Sequence, residues 1–450
     1  MEDTMDLVEK DLKYVWHPCT QTKDYELLKP IAIERGEGVF LYDRNGKDYI
    51  DIISSWWCNL LGHCNPKINE AIMAQMGRLE HVIFANFTHE PAAALCEKLA
   101  ELLPEGLSRF SFSDCGSAAV ESALKMSFQY QQLTGQNKRT KFMCLTEAYH
   151  GETLGSLSVG SMDLYSKVFA PLLLDSVRID APDCYRCPYG KERSSCSCDC
   201  FVAAEEAFRQ HGEETCAVIV EPIVQGSAGM RIYPGLYLKK LRELCDQYGV
   251  LLIDDEIAMG FGRTGTMFAI EHAGVAPDIM CISKGLTGGY LPMAMTVTTE
   301  KVYQAFYGDY SEGKTFMHSH TYSGNPLGCA AAQAVLGILK EENVLEKAAG
   351  KAKKLTEMLE SAFLDHKNLG ELRHIGLIHA MEFVKDKKTK EAFSSKDRTG
   401  YQIYRKALEH GLILRPIGDV MYFNPPLSIM EGELEEAVAR CKRAVRDILG

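Results

Sequence analysis

The chain has 450 residues, 46% hydrophobic and 24% charged, the balance of an ordinary globular protein long enough for one large α/β unit or for two to three domains. A formal net charge of −12 excludes a nucleic-acid binder, which needs surplus Lys and Arg to neutralise phosphates, and is permissive for a cationic substrate. The acidic start MEDTMDLVEKDLKY has no basic region followed by an apolar core, and runs such as CAVIVEP and VLLIDDE are too short to span a bilayer, so a cytoplasmic protein without membrane contact is expected.

Near the start stands His17-Pro18-Cys19-Thr20. FLYDRNGKDYIDI is two alternating runs around Asn45-Gly46, a hairpin signal, and its exit delivers Ser54-Ser55-Trp56-Trp57, whose rings either fill core or line a site. From Asn65 onward, PKINEAIMAQMGRLEHV and EPAAALCEKLAELLP carry helical periodicity. RFSFSDCGSAAVESALKMSFQYQQL reads as a short strand, a turn and an amphipathic helix. The free N–H groups and positive dipole end of that helix make the turn an anion site; the plainer alternative is a capped helix, with Ser117 as cap and Glu121 in the first turn. KFMCLTEAYHGETLGSLSVG gives a strand followed by Tyr149-His150-Gly151, where an aromatic ring can lie over a flat ligand or pack in the core.

CYRCPYGKERSSCSCDC places Cys184, Cys187, Cys196, Cys198 and Cys200 in one loop, either a metal site with one regular half or a thiol-rich surface loop. The other cysteines are scattered singly, as small buried thiols are. CAVIVEPIVQGSAGMRIYPG is a buried strand ending in Glu221, a carboxylate at the sheet edge where ligands bind. Next come VLLIDDEIAMGFGRTG and DIMCISKGLTGGYLPMA. Here a strand ends in Asp255, and Lys284 follows 29 residues later among small and hydroxyl residues. A strand-end carboxylate and an amine able to condense with an aldehyde are what pyridoxal phosphate chemistry requires; a helix cap and a solvated lysine are the plain alternative. KTFMHSHTYSGNPLGCAAAQAVLGIL sets Ser319, His320 and Thr321 before a Gly-Asn-Pro turn and a helix of small residues. From about Ala330 the tail is helical, and IGLIHAMEFV and GLILRPIGDVMYFNPPL read as strands of a small α+β region. Arg415 in the latter needs an anionic partner, from the chain or from a ligand.

EIAMGFGRTG and SKGLTGG closely resemble the signature of class III aminotransferases, a subgroup of fold-type I pyridoxal phosphate enzymes. The resemblance implies a large, mainly parallel seven-stranded sheet domain over residues 59–330, with a small α+β domain from residues 1–58 and 331–450. It implies pyridoxal 5′-phosphate as cofactor, Lys284 as the catalytic amine, and Asp255 on the ring nitrogen. Gly116 and Ser117 would hold the phosphate, Tyr149 would stack on the ring and touch substrate, and Glu221 would lie nearby. His320 and Thr321 would reach the cofactor across a homodimer interface, making the active sites shared. The segments WHP, SSWW, HSHTYSGNPLGCA and LRPIGDVMYFNPP are most similar to the branch that converts 7-keto-8-aminopelargonate to 7,8-diaminopelargonate in biotin synthesis, by a ping-pong route through pyridoxamine phosphate. In that branch Trp56 would cover the substrate chain, Arg415 would bind its carboxylate, and Ser319 and Tyr422 would line the site. Cys19 stands where the branch has a substrate-contacting Tyr; a thiol supplies neither hydroxyl nor ring, so the amino donor is S-adenosylmethionine, the usual one, or lysine. Glu152 stands where the family usually has Asp. The competing readings are a broad ω-amino acid or amine:pyruvate aminotransferase, and a metal- or redox-sensing protein organised by the cysteine loop.

Overall fold

The computed structural model describes residues 6–450. Strand β1 (Ile33–Glu37) starts an antiparallel meander with β2 (Phe40–Asp43) and β3 (Asp48–Asp51), so the Asn-Gly hairpin forms as expected. Asp43 closes the connection by accepting from the N–H groups of Asn45 and Lys47, with Gly46 at φ +82°. The periodic stretch after Asn65 is helical only over Pro66–Met76 and Glu90–Ala100, each with Pro at its start.

The middle of the chain supplies β4 (Leu107–Ser113), β5 (Lys141–Leu145), β6 (Val177–Ile179) and β7 (Thr215–Val220). A two-stranded ribbon follows, β8 (Val224–Gln225) with β9 (Arg231–Ile232). Then come β10 (Leu251–Asp255), β11 (Ile279–Ile282) and β12 (Ala294–Thr299). Seven of these form one sheet in the order β4-β12-β11-β10-β7-β5-β6, in which β12 alone runs against the rest. Strands β7, β10 and β11 are buried along their whole length, because helices cover both faces of a parallel sheet and every position must be apolar or paired. Helix Gly235–Tyr248 ends at Gly249, φ +66°, a left-handed stop that turns the chain directly into β10.

The two ends of the chain share one sheet. The short strand β15 (Leu412–Ile413) runs parallel to β3, with Leu412 opposite Ile50, while β13 (Leu369–Ile375), β14 (Ile378–Phe383) and β16 (Val420–Phe423) form a separate antiparallel sheet. The expected strand through Arg415 breaks after Ile413, since Pro416 has no N–H to give to a ladder and disfavours regular pairing before it. Among the described residues no helix is long and apolar enough to cross a membrane. The fold is α/β, a seven-stranded mainly parallel sheet with α+β material built from both termini.

Candidate active site

Every parallel strand that enters the site does so at its carboxyl end, where the helix-flanked sheet leaves a crevice. Asp255 is the last residue of β10, Lys284 follows β11 by two residues, and Glu221 follows β7 directly. Tyr149 and Gly116 sit in the turns after β5 and β4. They converge on a cavity of about 410 Å³ that Trp56, Trp57 and Ile257 also line.

The alternation of β10 turns Asp255 to the cavity and carries Asp254 and Glu256 to the opposite side. Asp255 Oδ2 accepts from His150 Nδ1 at 2.6 Å and Oδ1 from the Ile257 N–H at 3.1 Å. Glu221 is buried, and its two oxygens accept from the N–H groups of Tyr149 (3.1 Å) and Gly226 (2.8 Å). Burial pushes its pKa up to about 7 against the pull of His150. Lys284 opens a tight turn, Lys284–Thr287, with φ +44°. Its Nζ lies 4.8 Å from the centre of the Trp57 ring, and burial lowers its pKa while Asp255 and Glu221 oppose the shift.

At the other end of the cavity lies the N-terminus of helix Gly116–Leu133. Ser117 is not its cap. The N-cap is Cys115, which makes no side-chain cap bond, so the first-turn N–H groups are left for a ligand. The Ser117 hydroxyl instead accepts from the Glu152 N–H at 3.2 Å, and Glu121, beyond the first turn, holds the N–H groups of Gly155 and Ser156. Gly151 crosses Ser117 so closely at φ +123° that any Cβ there would collide with the serine side chain. A buried carboxylate, a desolvated amine and an uncapped helix N-terminus around one cavity of this size fit a flat, anionic aldehyde cofactor. Buried His150 Nε2 has no partner among the described residues, consistent with a site completed by a ligand.

Of the residues singled out from sequence, Trp56, Gly116, Ser117, Tyr149, Glu221, Asp255 and Lys284 line this one cavity. Cys19 and Arg415 line an adjoining cavity of about 820 Å³. The two cavities are bridged at the mouth. The Arg415 guanidinium sits 4.6 Å over the Trp56 ring and donates to the Cys19 carbonyl at 3.4 Å, while Glu152 accepts from the Tyr149 hydroxyl at 3.0 Å and lies 3.8 Å from the Cys19 thiol. Burial, then Glu152, raises the Cys19 pKa. Arg415 makes no ion pair among the described residues, so the intrachain partner weighed from sequence is missing. Tyr422 is buried behind the site, where its hydroxyl accepts from Trp57 Nε1 at 2.9 Å. Ser319 and Thr321 are exposed and lie outside the chain's own cavity, and His320 pairs with Asp114 at 3.0 Å. The loop cysteines are free thiols, and no three His, Cys, Asp or Glu side chains among the described residues are grouped to hold a metal ion.

Sequence reasoning passed over Trp57 and His150. The signal for His150 was its place in the Tyr-His-Gly turn beside a strand-end Asp. The Trp57 contact depends on a backbone twist that no local pattern announces.

Fold and site together define an α/β enzyme with a lysine and a carboxylate at adjoining strand ends. The family described as Aminotransferase class-III matches residues 21–445, and the chain belongs to it. It is an aminotransferase. Its relatives include the adenosylmethionine-8-amino-7-oxononanoate aminotransferases of Geobacter sulfurreducens, 43% identical over 100% of this chain and 99% of the relative, and Anoxybacillus flavithermus, 46% identical over 97% and 96%. Among solved structures, the enzyme of that name from Methanocaldococcus jannaschii aligns with TM-score 0.92 and 39% identity, covering 98% of this chain and 99% of that one. An omega transaminase from Pseudomonas jessenii in complex with PMP aligns with TM-score 0.94 at 33% identity, covering 98% of both. The backbone is therefore shared by enzymes of different names, and side chains must decide between them.

Proposed function

We propose that this aminotransferase converts 8-amino-7-oxononanoate to 7,8-diaminopelargonate in biotin synthesis, with pyridoxal 5′-phosphate as cofactor and S-adenosylmethionine as amino donor. The observation that carries this reading is Arg415, a guanidinium with no anionic partner among the described residues, laid over Trp56 at the cavity mouth. A long chain ending in a carboxylate fits that pair: the indole covers methylenes and the fork takes two oxygens.

Asp255, fixed by His150 and the Ile257 N–H, would hold the ring nitrogen. The first-turn N–H groups at Gly116 and Ser117 would hold the phosphate, and Tyr149 would cover the ring. When bound, the cofactor supplies an electron sink for the carbanion at the substrate carbon. Lys284 is the base that moves the proton at that carbon, and its lowered pKa keeps more of it as free amine near neutral pH. Trp57, against Lys284 Nζ, gives the released amine a resting place. Glu221 holds the loop at Gly226 and the Tyr149 backbone beside the ring. Ser319, His320 and Thr321, which do not line their own chain's cavity, would serve the site of a second copy in a homodimer.

The Cys19–Glu152 contact admits a second donor. With a thiol in place of a phenol, the Glu152 carboxylate is the group a donor cation meets, and a sulfonium and a lysine ammonium both satisfy it. Holoenzyme mixed separately with S-adenosylmethionine and with lysine separates the cases through loss of the aldehyde form's visible absorption band. Loss with S-adenosylmethionine alone supports the first reading, and loss with lysine alone moves the donor. If neither bleaches the band while simple amines do, the biotin reading fails and the ω-aminotransferase one stands.

A further inference from the structure

Ser54, Ser55 and Trp57 have φ of +51°, +59° and +63°, three left-handed residues within four positions and none of them glycine. Ser55, with ψ −79°, lies near the γ-turn conformation that L side chains rarely adopt, and Trp56 follows at φ −132°, ψ 52°. Backbone of this kind persists only where its surroundings over-determine it. Here the constraint begins at Asp51, the wholly buried last residue of β3. Its Oδ2 accepts from the Ser55 N–H at 2.7 Å, the Ser55 hydroxyl at 3.0 Å and His63 Nε2 at 3.0 Å, while Oδ1 accepts from the Ile53 N–H at 3.2 Å. His63 is steadied in turn by Asn59, whose Nδ2 lies 2.8 Å from Nδ1, and Ser54 Oγ donates to the Asn424 carbonyl at 2.8 Å. The turn thus locked presents its two rings to different partners, Trp56 to Arg415 and Trp57 to Lys284. Asp51 itself lines neither cavity.

We propose that Asp51 is a positioning residue for the acceptor. Through Ser55 it holds residues 54–57 in their left-handed path, so that Trp56 stays beneath Arg415 and the pair is assembled before substrate arrives. The proposal rests on the acceptor site assigned above to Trp56 and Arg415. Asn at this position keeps the shape but turns one acceptor into an NH₂ group, which opposes both the Ser55 N–H and His63 where it replaces Oδ2 and the Ile53 N–H where it replaces Oδ1. Glycine at 55 adopts φ +59° without help, so a double variant asks whether holding that conformation is what Asp51 does.

The test uses holoenzyme and three variants. D51N should raise the KM for 8-amino-7-oxononanoate about tenfold with kcat within about threefold of wild type, the split expected when binding geometry alone is lost. D51N/S55G should bring KM back to within about threefold of wild type, which a merely structural role would not allow, since an added glycine only costs stability. An unchanged KM in D51N, or no recovery in the double variant, overturns the proposal. A second readout is independent of the substrate. The chain has three tryptophans, so in a W16F/W57F background Trp56 reports alone, and acrylamide quenching of its emission should rise at least about twofold with D51N and fall back with S55G. Unmoved quenching overturns the proposal. A wild-type enzyme inert toward 8-amino-7-oxononanoate overturns the acceptor reading instead and leaves the quenching arm to decide. Should D51N fail to fold, S55A removes the hydroxyl contact only and should raise KM about threefold; no rise counts as refutation.

Discussion

Replacing Arg415 by Ala takes away the guanidinium that lies over Trp56 at the cavity mouth and leaves the fold intact. The side chain makes no ion pair among the described residues, a single 3.4 Å hydrogen bond to the Cys19 carbonyl and a 4.6 Å contact with the Trp56 ring. Its loss should therefore shift the thermal midpoint by only about 1 °C, as for a surface change. Binding is another matter. A two-point, charge-assisted contact to a carboxylate is worth about 1.5–3 kcal/mol, and the half-exposed position argues for the middle of that range. About 2 kcal/mol corresponds to a roughly 30-fold rise in the KM for 8-amino-7-oxononanoate, with kcat little changed. R415K keeps the charge but loses the fork and the stacking, and about 1 kcal/mol, or roughly fivefold, is expected. The assay is the acceptor half-reaction with the amino form of the enzyme, run beside the methyl ester of the acceptor. The ester should show the same KM on wild type and R415A. An unchanged KM for the acid in R415A, or an equal rise for acid and ester, refutes a carboxylate site at Arg415.

K284A should abolish turnover while the enzyme still binds the cofactor, read as retained absorbance after gel filtration; measurable kcat would sink the assignment of the base. Glu221 carries a pH dependence of known sign: its folded pKa is raised to about 7 from the ordinary 4.5, so its contribution to stability is full below about pH 4.5 and is lost as pH rises to 7. That loss is about 3 kcal/mol for a fully buried group, so E221Q should flatten the fall in thermal midpoint between about pH 4.5 and pH 7, and a wild-type slope in the variant would contradict it. Serine at all five loop positions, Cys184, Cys187, Cys196, Cys198 and Cys200, should leave kcat and KM within about twofold of wild type; loss of activity together with zinc that co-purifies with the wild type and not with the variant would revive the metal reading.

What could be read from sequence is what depends on local period and spacing. The hairpin at Asn45-Gly46 was legible because two alternating runs around that dipeptide have few other solutions, and the strand ends at Asp255 and Glu221 because a wholly apolar run must stop where a charge appears. Contacts made far along the chain were not legible. Arg415 reaches Trp56 across about 360 residues of sequence, and Trp57 reaches Tyr422 across a similar span, because β15 pairs with β3 and draws the two termini together. Ser117 shows the opposite failure. Its identity and place suit a helix cap, yet the helix begins one residue earlier, and the hydroxyl turns to the Glu152 N–H that the Tyr-His-Gly turn delivers.

The run Asp254-Asp255-Glu256 shows how structure divides three equivalent-looking carboxylates. Strand alternation points Asp255 alone into the cavity, where His150 and a backbone N–H give its negative charge two donors. Its neighbours are wholly buried and make no ion pair among the described residues. Both Asp254 oxygens lack partners, whereas Glu256 Oε1 accepts from the Ile270 N–H at 2.8 Å and Oε2 accepts from nothing. Burial drives Asp254 well above the ordinary range, with the charges of Glu256 and Asp255 adding to the shift, and pushes Glu256 up to about 8, with Asp255 and Glu271 adding to it. Of the two, Glu256 has a backbone donor that stabilises an anion and Asp254 has none among the described residues, so the proton belongs on Asp254. Holding at least one of these neighbours neutral spares Asp255 a second like charge across the strand, and the strand end keeps its negative potential where the proposed ring nitrogen would lie.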